Sequence, residues 1–282
     1  MIKVLTAGIQ TTVQDKGRAG YAHLGVPVSG FMDSYAAGLA NAVLGNSEEE
    51  AVLEITLGKV SLLFENEYLI ALSGADLSPE INGKRANMNT AVQVVQGDKL
   101  TFNRPVSGVR SYLAVKGGFQ TPNVLGSRSY YKNVTEPFLV TNGNILHANP
   151  FNDLKTLKNA IVKVNTAYFQ SKDIEVSKGP EYELLDEDQR QLLENTVFTI
   201  SKDNNRMGYR LVETIENTLP SMLTSSVLTG TVQLTPSGTL IVLMRDCQVT
   251  GGYPRILQLR EMAVNSLAQK TTNDKFRFKI LS

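Results

Sequence analysis

Short apolar or alternating runs recur along this chain. Leu62 to Phe64, Tyr68 to Leu72, Ala91 to Val95 and Ser111 to Val115 are four of them. Runs of this length, bounded by turn residues, predict β-strands. Asn82-Gly83 and Gly97-Asp98 supply the turns. The second half repeats the style. Gly230 to Thr235 is followed by Pro236-Ser237-Gly238 and then by Thr239 to Met244, which predicts a hairpin. Closely spaced strands with tight turns predict a barrel or a sandwich. Helical patterning is sparse. Met32 to Leu44 reads as a helix, with Asp33 or Ser34 to cap it and Gly45-Asn46 to end it. Asp186 to Leu193 reads as a second, its acidic residues suited to a helix N-terminus. Arg260 to Ala268 reads as a short third.

The chain also repeats itself. Asp15, Arg18, Gly20 and Tyr21 spell D-x-x-R-x-G-Y, and Asp203, Arg206, Gly208 and Tyr209 spell it again. A β-like run precedes each copy, Thr11 to Val13 in one and Val197 to Ile200 in the other. Downstream, Gly97 to Phe102 is echoed by Asn273 to Phe278. Upstream, Ile2 to Val4 leading to Gly8 resembles Ile174 to Val176 leading to Gly179. Three echoes in one order point to duplication, and two long copies point to two related domains rather than a solenoid. The expected organisation is a first half over 1–125, a connector with some strand over 126–170, and a second half over 171–282.

Composition narrows the function classes. The chain has 282 residues, 42% of them hydrophobic, enough for one large core or two ordinary ones. With 28 Lys+Arg against 27 Asp+Glu, it offers no general attraction for nucleic acid or an anionic membrane. No apolar run approaches the roughly 20 residues that span a bilayer. The N-terminal stretch lacks a signal peptide's apolar core, so a cytoplasmic location is expected. Cys247 is the single cysteine, which excludes an internal disulfide. Only two histidines accompany it, too few for a zinc site, and no metal is expected.

Two clusters carry candidate chemistry. The first is the glycine-rich stretch from Gly8 to Gly30, where Gln10, Gln14, Asp15 and Arg18 can build a polar pocket. A guanidinium there can grip a carboxylate or phosphate. The alternative is an Asp–Arg motif that pins a loop, and its recurrence in both halves favours scaffold as much as chemistry. The second cluster runs from Arg245 to Pro254, where an apolar strand ends beside Gly251-Gly252. Polar groups at such a strand end sit at a pocket mouth. No counterpart occurs in the first half, so this is the better place for function. Asp246 is its best carboxylate for base or positioning work, unless it pairs with Arg245 or caps the turn. Gly83-Lys84-Arg85 lacks the spacing of a phosphate loop.

At these clusters the sequence resembles the allophanate hydrolase subunit 2 family. The opening Gly8-Ile9-Gln10-Thr11-Thr12-Val13-Gln14-Asp15, with Gly17-Arg18 and Gly20-Tyr21, carries the likeness. So do Gly25-Val26-Pro27, Ser29-Gly30 and Met32-Asp33. It continues through Ser73 to Asp76, Tyr112 to Gly118, Asn205 to Leu211, Gly230 to Gln233 and Asp246 to Pro254. The family includes the Kip-inhibitor antagonist, the C-type subunit of 5-oxoprolinase and half of the carboxyltransferase region of urea amidolyase. The resemblance implies a mainly β fold of tandem cyclophilin-like β-barrels with a few short helices. It implies one component of an ATP-dependent 5-oxoprolinase, working with an A-type partner and a KipI-like B-type partner, with ATP bound by the assembled complex. It leaves open a biotin-dependent carboxyltransferase acting on urea or a related amide, and a non-catalytic antagonist of a kinase inhibitor. Catalytic candidates are Asp246, Asp15 and Arg18. Substrate-binding candidates are Gln14, Gln233, Gln248, Thr250, Gly251, Gly252 and Tyr253. By this logic Arg18 and the Gly251-Gly252 turn handle anions, while Asp246 or Asp15 positions water. The sequence departs from the family at Arg245, where an apolar residue is usual, and at Cys247 and Val249. That departure leaves an altered substrate or a lost activity open.

Overall fold

A computed structural model describes residues 1–151, 164–220 and 222–281. Residues 152–163, inside the expected connector, lie outside the described residues. The chain divides into two compact units, one of Met1–Ala19 with Ser29–Thr166 and one of Gly20–Val28 with Ala167–Ser282.

The first unit is built from two sheets. Its strands are β1 (Ile2–Ala7), β2 (Gln10–Gln14), β3 (Val52–Thr56), β4 (Val60–Phe64), β5 (Tyr68–Asp76), β6 (Glu80–Ile81), β7 (Lys84–Arg85), β8 (Ala91–Val94), β9 (Lys99–Phe102), β10 (Ser107–Val115) and β11 (Ile145–Leu146). One sheet runs β11-β1-β4-β9-β6-β7 and the other β2-β3-β10-β5-β8. Alternation decides what each face buries. On β3, Leu53 and Ile55 join Leu62, Phe64, Leu72, Phe102 and Leu113 in one core drawn from both sheets. Val52, which precedes Leu53, packs on the opposite face, against helix α1 (Ser34–Val43). Asp33 caps that helix by accepting from Ala36 N at 3.0 Å.

The sheets of this unit do not close into one ladder. The free edge of β2 is taken by loop backbone instead: Tyr130 N donates to Val13 O and Val140 N to Thr11 O, both at 2.9 Å. Residues 126–150, read from sequence as part of a connector, belong to this unit. Their polar side chains, which lowered the strand signal, bond to the unit's opening segments: Ser127 and Ser129 to Asp15, and Asn142 to Ala7 N.

The second unit contains helix α2 (Ala167–Gln170), β12 (Asp173–Lys178), α3 (Glu187–Asn195), β13 (Phe198–Asn204), β14 (Gly208–Thr214), β15 (Ser225–Ser226), β16 (Thr231–Leu234), β17 (Thr239–Leu243), β18 (Thr250–Gly251), β19 (Arg255–Leu259), α4 (Glu261–Ala268) and β20 (Lys275–Ile280). Seven strands form a closed barrel in the order β12-β19-β16-β17-β14-β13-β20, which leaves no open edge. Val232, Leu234, Leu240 and Val242 are fully buried, and Phe198, Phe276 and Phe278 pack their rings together. A capping box starts α3: Gln189 N donates to Asp186 at 2.8 Å and Asp186 N to the Gln189 side chain at 2.9 Å. The hairpin expected at Pro236-Ser237-Gly238 joins β16 to β17. No helix among the described residues is long and apolar enough to cross a membrane.

The echoed segments share geometry. Gly97 and Asn273 both take left-handed backbone (φ 91° and 71°). The aspartate that follows each accepts from the backbone three residues earlier, Val95 N to Asp98 at 2.9 Å and Thr271 N to Asp274 at 2.7 Å. The echoed glycines also match. A Cβ on Gly8 would stand 2.5 Å from Gly58 O, and one on Gly179 would stand 2.1 Å from Arg255 O. Each marks a close backbone approach that only glycine permits.

Candidate functional site

The second unit presents a cleft on the outer wall of its barrel. Register fixes which residues face it. Arg210 on β14 is paired with Ile241 on β17, Ile241 with Gln233 on β16, and Gln233 with Arg255 on β19. Paired residues share a face, so these four form one row across four strands. Tyr209, Val232 and Val242 point the other way, into the core. The segment from Gln248 to Tyr253 folds over the row, and its β18 pairs with β15 through Thr250 and Ser226. The space left is a cleft of about 510 Å³ lined by Lys202, Asp203, Arg210, Gln233, Gln248 and Tyr253 over an apolar floor of Ile241 and Leu243. That volume lies within the range of small-molecule sites.

Gln233 is the most confined group there, 1% exposed although it lies outside the barrel. A Cβ on Gly251 would stand 2.4 Å from its Nε2, so the glycine is what lets the loop close over the amide. Its hydrogen bonds are long. Nε2 donates to Tyr253 O at 3.5 Å, and Gln248 Nε2 donates to its Oε1 at 3.5 Å. Contacts at that limit are weak. The two amides are near each other but not locked, which suits groups that re-pair with a ligand.

Asp246 sits beneath this loop rather than in the cleft lining. Its partner is Arg206 of the repeated motif: Nε donates to Oδ2 at 2.8 Å and Nη2 to Oδ1 at 3.0 Å. Asp246 N also donates to Arg206 O at 2.8 Å. Arg245, the partner considered from sequence, instead reaches Glu261 at 2.5 Å and Asn265 at 3.2 Å on α4. Burial pushes the Cys247 thiol up to about 11, so it stays protonated and a poor nucleophile near neutrality.

The remaining candidates lie in the first unit. The Asp15 carboxylate accepts from Gly17 N at 2.8 Å, Ser127 Oγ at 2.6 Å, Ser129 Oγ at 2.7 Å and Arg128 N at 2.5 Å. Arg18 is buried and donates to Ser129 O. Gln14 donates to Thr12 Oγ1 at 3.1 Å and Tyr130 O at 3.3 Å. So saturated a carboxylate holds a loop. The two motif copies therefore differ: both arginines are buried, but Asp15 is clasped while Asp203 is exposed in the cleft. Of the residues grouped from sequence, Gln233, Gln248 and Tyr253 come together here. Lys202 and Arg210, which are not among the candidates the sequence suggests, also line the cleft. The signal for Arg210 was available: the first motif copy has Ala22 at that position. Among the described residues no group of His, Cys, Asp and Glu can hold a metal ion.

Residues 24–280 match the family described as the carboxyltransferase domain, subdomains A and B. The chain belongs to that family. It is 36% identical to the C-type subunit of 5-oxoprolinase from Escherichia coli, over 95% of this chain and 87% of that one. It is 30% identical to the same subunit of the Haemophilus influenzae enzyme, over 100% of this chain and 92% of that one. A urea amidolyase of Lachancea kluyveri is 42% identical over 46% of this chain and 7% of its own length. The crystal structure of the K. lactis urea amidolyase superposes with a TM-score of 0.84 and 28% identity, covering 100% of this chain and 19% of that one.

Proposed function

We propose that this chain is the C-type subunit of a prokaryotic ATP-dependent 5-oxoprolinase, which opens the lactam of 5-oxoproline to glutamate together with its A-type and B-type partners. The similarity to two proteins named as that subunit, running nearly end to end in both cases, carries the reading. The cleft's chemistry supports it. 5-Oxoproline carries a carboxylate and a cis amide, and the lining offers cations and primary amides. A lactam resists water because its nitrogen feeds the carbonyl. Transfer of the ATP γ-phosphoryl group to the lactam oxygen makes the carbon attackable. One water then adds, the carbon–nitrogen bond breaks with a proton going to nitrogen, and a second water releases phosphate from the acyl phosphate. In this reading ATP binds in the assembled complex. This chain's cleft holds substrate, while Asp246 and Asp15 hold their loops.

The test mixes this chain with purified candidate A-type and B-type partners, ATP and 5-oxoproline, and measures glutamate. Glutamate that requires all three proteins and ATP is expected; none from a well-formed complex overturns the reading. The likeness to urea amidolyase supports one second reading, carboxyl transfer from carboxybiotin to urea or a related amide. Under that reading the chain consumes carboxybiotin in the presence of urea and not of 5-oxoproline.

A further inference from the structure

Arg210 and Lys202 stand apart among the cleft's polar residues. Among the described residues neither has an ion-pair or side-chain hydrogen-bond partner, although the cation at the opposite end of the row is fully engaged. Arg255 there makes bonds of 3.0 and 2.8 Å to the Glu181 carboxylate and one of 2.9 Å to Ser226 O. A guanidinium that serves the fold is paired in this way. Arg210 is instead an unpaired fork on the cleft wall, beside the apolar Ile241, with its donors available to a carboxylate. It is also absent from the first copy of the motif, where Ala22 takes its place, so the duplicated fold does not require it. The charged lining groups are Lys202, Arg210 and Asp203, one positive charge in excess.

We propose that this cleft is a carboxylate-and-lactam subsite, in which Arg210, backed by Lys202, binds the ligand's carboxylate and the exposed amide of Gln248 reads its lactam edge. The identity of the ligand as 5-oxoproline rests on the function proposed above. The chemistry of recognition is general. A cis lactam presents N–H and C=O side by side, and a primary amide presents the complementary pair, so two parallel hydrogen bonds form. Gln248 is tied to Gln233 only at 3.5 Å and can exchange that contact for the ligand without stranding a well-made bond. The buried Gln233 lies behind it. Arg210 and Gln248 are then the residues that distinguish an acidic lactam from a neutral amide.

The experiment titrates 5-oxoproline, its neutral carboxamide and inorganic phosphate into the full chain, followed by ligand line broadening in NMR. It compares wild type with Arg210→Gln and Lys202→Gln. Arg210 is exposed on the barrel wall, and thermal melting checks that its replacement leaves the fold intact. Wild type binds 5-oxoproline saturably, Arg210→Gln weakens it about tenfold or more, and Lys202→Gln weakens it less. The carboxamide binds weakly to all three, and phosphate does not displace 5-oxoproline. Absence of saturable binding by wild type, equal binding by wild type and Arg210→Gln, or displacement by phosphate overturns the proposal. In the reconstituted complex, glutamate formation with an unchanged KM in Arg210→Gln overturns the subsite and leaves the function standing. Cleft binding that depends on Arg210, without glutamate from the wild-type complex, does the reverse.

Discussion

Arg206 and Asp246 form a two-pronged, buried ion pair that joins the repeated motif to the unrepeated turn, with bonds of 2.8 and 3.0 Å. The turn that shapes the cleft is thereby fastened to the arginine of the repeated motif. Asp246→Ala leaves a buried guanidinium without its counter-ion, which costs roughly 3–5 kcal/mol. Urea denaturation should show that loss directly. Turnover should fall in proportion to folded protein. A variant with wild-type stability and no turnover would assign Asp246 to the chemistry instead.

The Asp15 clasp should behave as scaffold. Ser129→Ala removes one of the carboxylate's donors and also the acceptor of Asp15 N, a bond of 3.0 Å. Roughly 1–3 kcal/mol of stability should disappear, the cost of leaving buried polar groups short of partners. Turnover per folded molecule should be unchanged, measured by glutamate release at a temperature where the variant remains native.

Gly251→Ala tests the loop over Gln233. The added methyl would stand 2.4 Å from Gln233 Nε2, the far end of a flexible side chain, so that amide moves and the backbone need not. Melting temperature should change little, while KM for the substrate rises several-fold. A large drop in melting temperature with unchanged KM would show that the glycine serves folding alone.

Cys247 links the same turn to alkaline stability. Its thiol ionises near about 11 in the folded chain against 9.0 for a free thiol. Between those values the unfolded chain has already lost the proton and the folded chain keeps it, so stability falls as pH rises across that window. The loss reaches about 3 kcal/mol at most. Cys247→Ala should flatten this part of the pH–stability curve. Iodoacetamide at pH 8 should label the unfolded chain and spare the native one. Tyr130, pushed up to about 12 by burial, adds a similar decline over a higher window, which Tyr130→Phe removes.

Much of this was legible in the sequence, and the rest was hidden for definite reasons. The helix expected from Met32 to Leu44 spans Ser34–Val43, with Asp33 as its cap, because capping and periodicity are local. The duplication was visible at Gly97-Asp98 and Asn273-Asp274 because a left-handed residue followed by a capping aspartate is also local. The partners of Asp246 and Asp15 were not legible. Arg206 lies 40 residues from the first, and Ser129 lies 114 from the second. Period-2 patterning states which face a residue takes, not which side chain meets it from another strand. The same limit hid the closed ladder of one unit and the two sheets of the other, since closure depends on how edges meet.

The clasp around Asp15 also sets an order of events during synthesis. Its carboxylate is translated before the serines that complete it, which come 112 and 114 residues later. The edge of β2 waits as long for the backbone of Tyr130 and Val140. Until that stretch emerges, the opening strands present an unmatched edge and an uncompensated loop to every other chain nearby. A chain cut short before residue 127 would lack both serines of the clasp and the backbone that covers the β2 edge.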